Sequence, residues 1–117
     1  MLDKKAILAA PDLDIKEISV KAWGGDIVIR QLSGKERAEF EDETSDLNES
    51  KKQSDQIRAM AIFCTYIICD ENQKRIFESD EADSLSSKSL KALKHIFNEG
   101  LAFNAARPED IDNLAKK

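Results

Sequence analysis

Few residues in this chain have the type and spacing to do chemistry. His95 is the only histidine. It follows Lys94 in a helical pattern, a setting for a surface or boundary residue rather than a general base. Cys64 and Cys69 lie in one apolar run, with no third cysteine. A structural zinc site needs four ligands, so the pair reads as two reduced core thiols. "DENQKRIFESDE", Asp70 to Glu81, has acids at the first and twelfth positions of a calcium-type loop and Asn72 at the third. Lys74 then takes the fifth position, where an oxygen ligand belongs, and Arg75 the sixth, where glycine makes the turn. The segment reads as a solvated acidic turn. No phosphate-cradling glycine loop or nucleophile elbow occurs. Acids total 23, so chance proximity of two carboxylates says nothing about acid–base work. Residue chemistry points to no catalytic, metal or cofactor site, and an enzyme is the least supported class.

The 117 residues suit one domain with one modest core. Hydrophobic residues make up 41% and charged residues 35%, a globular balance rather than a disordered one. The net charge of −5 opposes a phosphate backbone, and no run gathers more than three basic residues without acids between them. Nucleic-acid binding is therefore not expected. The apolar run Ala6 to Ala10 is too short for the core of a signal peptide, and Pro11 follows it. No stretch approaches the roughly 20 apolar residues of a membrane span. These features point to a cytosolic protein.

The periodicity predicts an α+β fold, mainly helical, with a small N-terminal hairpin on a bundle of about four helices. Residues 3–9 suit one or two helical turns. In 15–31, Ile18, Val20 and Ala22 alternate with Glu17, Ser19 and Lys21, and Ile27 and Ile29 alternate with Asp26, Val28 and Arg30, around Trp23-Gly24-Gly25. Period two on both sides of a glycine pair signals a hairpin, its glycines taking the positive φ of a tight turn. Trp23 reads as a packing residue beside that turn. A lone hairpin is marginal in water and needs a surface to lie on. Ser33 with Glu36 three residues later forms a capping-box pattern that opens a helix over about 34–47. Its apolar residues are few: Ala38, Phe40 and Leu47. The polar stretch 41–56 is either the solvated end of that helix or a mobile connector, placed at about 44–55.

"IRAMAIFCTYIIC", Ile57 to Cys69, is the most hydrophobic segment. Its length favours helix over strand, so a helix is expected over about 55–69. Ile57, Met60, Ala61, Cys64, Ile67 and Ile68 fall at helical spacing, and Phe63 widens the face. A helix apolar nearly all round must be wrapped by other elements or by another subunit. Asp70 to Gln73 reads as a turn and Arg75 to Phe77 as a short extended piece. Helices are then expected over about 80–85, 87–103 and 108–115. The second carries Leu90, Leu93, Phe97 and Leu101 on one face, is capped by Ser86 or Ser87, and is weakened at Gly100. From the residues alone, this is a binding or assembly protein.

A resemblance goes further. "MLDKKAILAAPDL" followed by I-x-V-x-x-W-G-G-x-I-x-I-R-x-L-S-G-x-E-R-x-x-F-E resembles the tail assembly chaperones of long-tailed phages and prophages. The likeness continues through the hydrophobic helix, the Asp-Glu turn and the "LKALKHIF" helix, and covers nearly the whole chain. It implies a protein that binds the long, helical tape-measure protein and keeps it soluble while the tail polymerises. It implies action in the host bacterial cytoplasm, absence from the mature virion, and homo-oligomers. It also implies a frameshift-extended form that contacts the major tail protein, with Lys116-Lys117 suited to an A-rich slippery run. The expected partner-binding or subunit-contact residues are Ile57, Met60, Phe63, Cys64, Ile67, Leu90, Leu93, Phe97 and Leu101, with the hairpin as scaffold. The competing readings are a structural tail-completion or head–tail joining protein and a small regulatory binding module.

Overall fold

The structure is a computed structural model that describes residues 1–105; the helix expected over 108–115 lies outside them. An N-terminal helix α1 (Lys4–Ala9) precedes the hairpin β1 (Ile15–Val20) and β2 (Gly25–Arg30). Helices α2 (Gly34–Glu49) and α3 (Gln53–Ile67) follow, then a short strand β3 (Ile68–Cys69). Helices α4 (Ala82–Ser86) and α5 (Leu90–Phe103) complete the described chain. The fold is α+β and mainly helical, with the small sheet near the N-terminus, as the periodicity indicates.

The hairpin differs in detail from the sequence reading. Val20 pairs with Gly25, so four residues make the connection. Lys21–Trp23 form a 3-10 turn, and Gly24 alone takes a left-handed φ of 74°. Gly25 is already strand, and Ala22 is exposed rather than part of the alternation. Ile18, Val20 and Ile29 turn inward, while Trp23 and Ile27 pack against the core they enter.

The hairpin is also not two-stranded. The hydrophobic segment leaves its helix at Ile67, and Ile68 and Cys69 pair antiparallel with Ile29 and Val28. The sheet order is β1-β2-β3. Periodicity could not show this, because an apolar residue serves a buried helix and a buried strand alike. The turn behind β3 holds the switch in place. Asp70 Oδ1 accepts from the backbone N–H of Asn72 and Lys74, Gln73 takes a φ of 67°, and Cys69 bridges to Arg75.

Helix α3 is the central element, with contacts to α2, α4 and α5. Ala59 and every residue from Ala61 to Ile67 are buried. The polar α2 runs to Glu49 and α3 begins at Gln53, so the stretch expected to be mobile at about 44–55 is helical except for the linker 50–52. Its Ser33–Glu36 capping box is complete, with both hydrogen bonds at 3.1 Å. The stripe Phe40, Thr44 and Leu47 docks it on α3. Thr44 is fully buried and donates its hydroxyl to the Phe40 carbonyl, whereas Ala38 faces solvent. The Phe40 ring centroid lies 5.1 Å from Phe63 and 5.7 Å from Tyr66. Aromatic pairs of this kind contribute about 0.5–1.5 kcal/mol each beyond area burial, against about 0.3–0.5 for an exposed helical ion pair such as Arg37–Glu41. This packing therefore holds α2 more than ion pairs along its own exposed face do.

The last two helices start later than expected. A 3-10 turn, Ser79–Glu81, leads into α4, and Ser89 rather than Ser86 or Ser87 caps α5 through Ala92 N–H. Gly100 is where α5 crosses α3. A methyl group there would run into Ile67 Cδ1 and come within 3.0 Å of Phe63 Cε2. Alanine would gain about 1 kcal/mol of helix propensity. Overpacking of a closed core costs about 1–3 kcal/mol, and Ile67 and Phe63 are both fully buried. Gly100→Ala is expected to lose about 1 kcal/mol net, read as a lowered midpoint in urea unfolding; a raised midpoint would contradict this close approach.

Candidate interaction surfaces

The nine apolar residues expected to meet a partner divide into two groups. Phe63, Cys64, Ile67 and Leu93 are closed inside the core, at 0–1% exposure. Their contacts are with this same chain: Phe63 stacks edge-on against Phe97 at 5.4 Å, and the Cys64 thiol faces the Leu93 carbonyl. Burial pushes the Cys64 thiol up to about 12 and raises Cys69 as well, so neither is a ready nucleophile. A groove lined by all nine residues is therefore not present in this fold. Ile57, Met60, Phe97 and Leu101 are half-buried, and Leu90 is 44% exposed at the start of α5. Trp23 is a half-buried packing residue, Gly24 sets the turn, and Ser33 and Glu36 form the cap.

The most connected polar site went unread in the sequence. It lies at the C-terminal end of α3, where the last carbonyls of a helix lack intrahelical partners. Arg75 Nε donates to the Thr65 carbonyl at 3.1 Å, and Nη2 donates to Thr65 Oγ1 and Ser79 Oγ. Its guanidinium lies 4.2 Å from the Tyr66 ring centroid. Arg30 Nε donates to the Tyr66 carbonyl at 2.8 Å. Its Nη2 forms an ion pair with Glu36 at 2.8 Å, off the alignment of a hydrogen bond. Tyr66 hydroxyl and Ser79 hydroxyl both donate to Glu43 Oε1. Two guanidinium groups thus meet the negative end of the helix dipole, and each is tied to an acid-bearing helix.

The pKa directions follow. Burial, and then the Glu43 carboxylate, raise the Tyr66 phenol. Burial works against ionisation of Glu36, but the Ser33 backbone N–H and the Arg30 charge outweigh it and hold Glu36 below its ordinary value of 4.5. This cluster is structural in kind: the two guanidinium groups meet backbone carbonyls, the Thr65 and Ser79 hydroxyls, the Tyr66 face and the Glu36 countercharge, all within the fold. His95 is exposed, with Nε2 3.0 Å from the Ser19 carbonyl at the sheet edge. Among the described residues no group of three or more His, Cys, Asp or Glu is arranged to hold a metal ion.

The remaining large apolar side chains in the open are at the N-terminus and on the outer sheet face. Leu2, Ile7 and Leu8 are 57–77% exposed, and α1 buries none of its residues. Ile15 and Ile76 are exposed near the outer sheet face. Sequence reasoning placed the N-terminal helix but not its isolation, since the local pattern cannot show whether a neighbour covers it.

A family model described as phage tail assembly chaperone matches residues 3–117. The chain belongs to the phage tail assembly chaperone family. The role of this family is assistance in assembly rather than catalysis. Among solved structures, this chaperone-family chain is similar to the bacteriophage HK97 tail assembly chaperone, at 19% identity and a TM-score of 0.63. The match covers 85% of this chain and 94% of that one. At such identity the likeness is one of fold. No curated protein matches the chain. Among the described residues, no helix is long and apolar enough to cross a membrane.

The cap on α3 gives two expected outcomes. Arg75→Met is expected to cost about 2 kcal/mol, the scale of hydrogen bonds to a charged group. Arg75→Lys should recover only part of this, because a point charge cannot serve Thr65 and Ser79 together; urea unfolding of the three proteins decides it. For Glu36, a lowered folded pKa means that its stabilisation is fully present above pH 4.5 and is lost as pH falls through the folded value. Glu36→Gln should therefore be less stable than the parent at pH 7, by about 0.5–1 kcal/mol for a half-exposed pair, with the gap closing towards pH 3. A gap independent of pH would remove the Arg30 pairing as its cause.

Proposed function

We propose that this chain binds the tape-measure protein during phage tail assembly and keeps it soluble until the tail polymerises around it. The observation that carries this reading is the family match across residues 3–117. The surface chemistry supports it. The chain offers exposed apolar side chains, Leu2, Ile7, Leu8, Ile76 and Leu90, on an otherwise charged exterior, which is the kind of surface that receives the apolar face of a helix. Leu90, with the half-buried Ile57, Met60, Phe97 and Leu101, is the part of the α3 and α5 faces that a tape-measure helix would meet. On this reading the protein acts in the host cytoplasm and leaves before the virion is complete. A frameshift-extended form that meets the major tail protein belongs to the same reading.

The test is co-expression with the long helical protein encoded beside this chain, with both reading frames present. The expected result is that the tape-measure protein becomes soluble and co-purifies, and that Leu90→Glu reduces the recovered amount several-fold while its own unfolding midpoint is kept. A tape-measure protein that stays insoluble beside well-folded partner would overturn the proposal. So would this chain in purified tails at stoichiometric amounts, since a structural tail component stays in the particle.

A further inference from the structure

The chain before β1 is an arm fixed at its base and free beyond it. Gln73 Nε2 donates to the Leu13 carbonyl, and Asp14 and Gln31 exchange hydrogen bonds, so the arm leaves the body at Leu13. Among the described residues, the hydrogen bonds of 3–12 stay within the arm. Asp3 caps α1 by accepting from Ala6 N–H at 2.9 Å, and α1 buries none of its residues. Lys4, Lys5, Leu8 and Ala9 surround one shallow concavity, a basic and apolar side of the helix. Leu8 is 77% exposed.

The base stands beside a surface of the opposite kind. Gln73 follows Asn72, which lines a shallow cleft with Asp26, Val28, Asp70, Glu71 and Ile76. Register places Glu17 opposite Val28, on the sheet face away from Ile18 and Ile29. Glu17 shares a hydrogen bond with Asp26, and this contact, with the Asp26 and Glu71 charges, raises its pKa. The half-buried Val28 and the exposed Ile76 are the apolar part of this acidic surface.

Reach allows the two to meet within one chain. Residues 10–12 separate α1 from its anchor, and three extended residues span about 10 Å. The six-residue helix is about 9 Å long. From β1 to β3 is two strand spacings, again about 10 Å. Pro11 holds Ala10 extended, at φ −65° and ψ 129°, so bending of the arm falls to the residues after it.

We propose that α1 is a strap that closes over the outer sheet face of its own chain, with Leu8 against Val28 and Ile76 and with Lys4 and Lys5 among Glu17, Asp26 and Glu71. The arm that stands clear is the open form. A short tether holds the strap at an effective concentration of about millimolar, so a contact too weak to join separate molecules is populated. Charge carries part of the contact, so closure falls with salt. Closed, the strap takes Leu8, Val28 and Ile76 out of water. Open, it leaves them on the surface, where apolar patches invite unwanted contacts. The device belongs to the chain alone and holds whichever protein the chain shields.

Paramagnetic broadening tests it on the full chain at about 50 μM, well below that effective concentration. Ala6 is exposed on the side of α1 away from Leu8, and both native thiols are buried, so a nitroxide on Ala6→Cys reports the position of the arm. In isotope-labelled chain, the amide signals of 26–28 and 70–72 are expected to fall by about half or more, and to recover in about 1 M salt. Lys4→Glu with Lys5→Glu should reduce the broadening several-fold, as should Glu17→Lys with Glu71→Lys. All four positions are exposed, so folding should be kept, and unmoved core signals verify it. The four changes together in one chain should restore the broadening, and Leu8→Asp should reduce it. A parent without broadening overturns the proposal, as does broadening that either charge variant leaves unchanged. Failure of the combined variant to restore it overturns the proposal too. So does broadening that passes in full from spin-labelled chain to isotope-labelled chain mixed with it, because that contact would lie between copies.

Discussion

The structure depends on how the C-terminal end of α3 is satisfied inside the protein. A helix buried on all sides brings its unpaired carbonyls into the core, where each costs about 1–3 kcal/mol if left without a partner. Here the chain supplies the partners from three directions. Ile68 N–H closes on the Cys64 carbonyl. Arg75 takes the Thr65 carbonyl, and Arg30 takes that of Tyr66. Because Arg30 belongs to β2 and Arg75 to the segment after β3, capping the helix also fixes the sheet and the following turn against it.

The same two arginines bring the polar helix α2 into the fold. Glu36 on its first turn meets Arg30, and Glu43 on its third meets Tyr66 and Ser79, both of which touch Arg75. Phe40, Thr44 and Leu47 supply the packing beneath. A helix this polar has too little apolar surface to hold itself down by burial alone. Aromatic contact and a shared polar network make up the difference. At the other end, Gln31 and Leu32, between β2 and α2, bind the end of α5: Gln31 Nε2 donates to the Phe103 carbonyl, and Asn104 Oδ1 accepts from Leu32 N–H. The β2–α2 connector thus ties the N-terminal half to the last described helix.

This arrangement shows why a tail assembly chaperone can carry so apolar a segment in so small a chain. The core absorbs the strongest hydrophobic residues of α3, and both thiols with them. The apolar side chains that stay open are peripheral, on the N-terminal helix, near the outer sheet face and at the start of α5.

Much of the fold was legible in the residues. Period-two alternation marked β1 and β2, the Ser33–Glu36 box marked the start of α2, and length with composition marked α3 as a wrapped helix. These signals are local, set by backbone geometry and by which face an apolar side chain needs. The family likeness rested on the order of such local blocks. Three features were not legible. Ile68 and Cys69 are strand because β2 offers them an open edge, although their apolarity continues the helix pattern. Phe63, Cys64, Ile67 and Leu93 are core rather than interface, since burial depends on which elements surround a face and not on the face itself. Arg30 and Arg75 look like ordinary surface charges in sequence; only the fold carries the end of α3 to them. Sequence by itself determined the hairpin, the main helices and their polarity. Tertiary structure decided which apolar faces are closed, and which charges became caps, because both depend on neighbours far away along the chain.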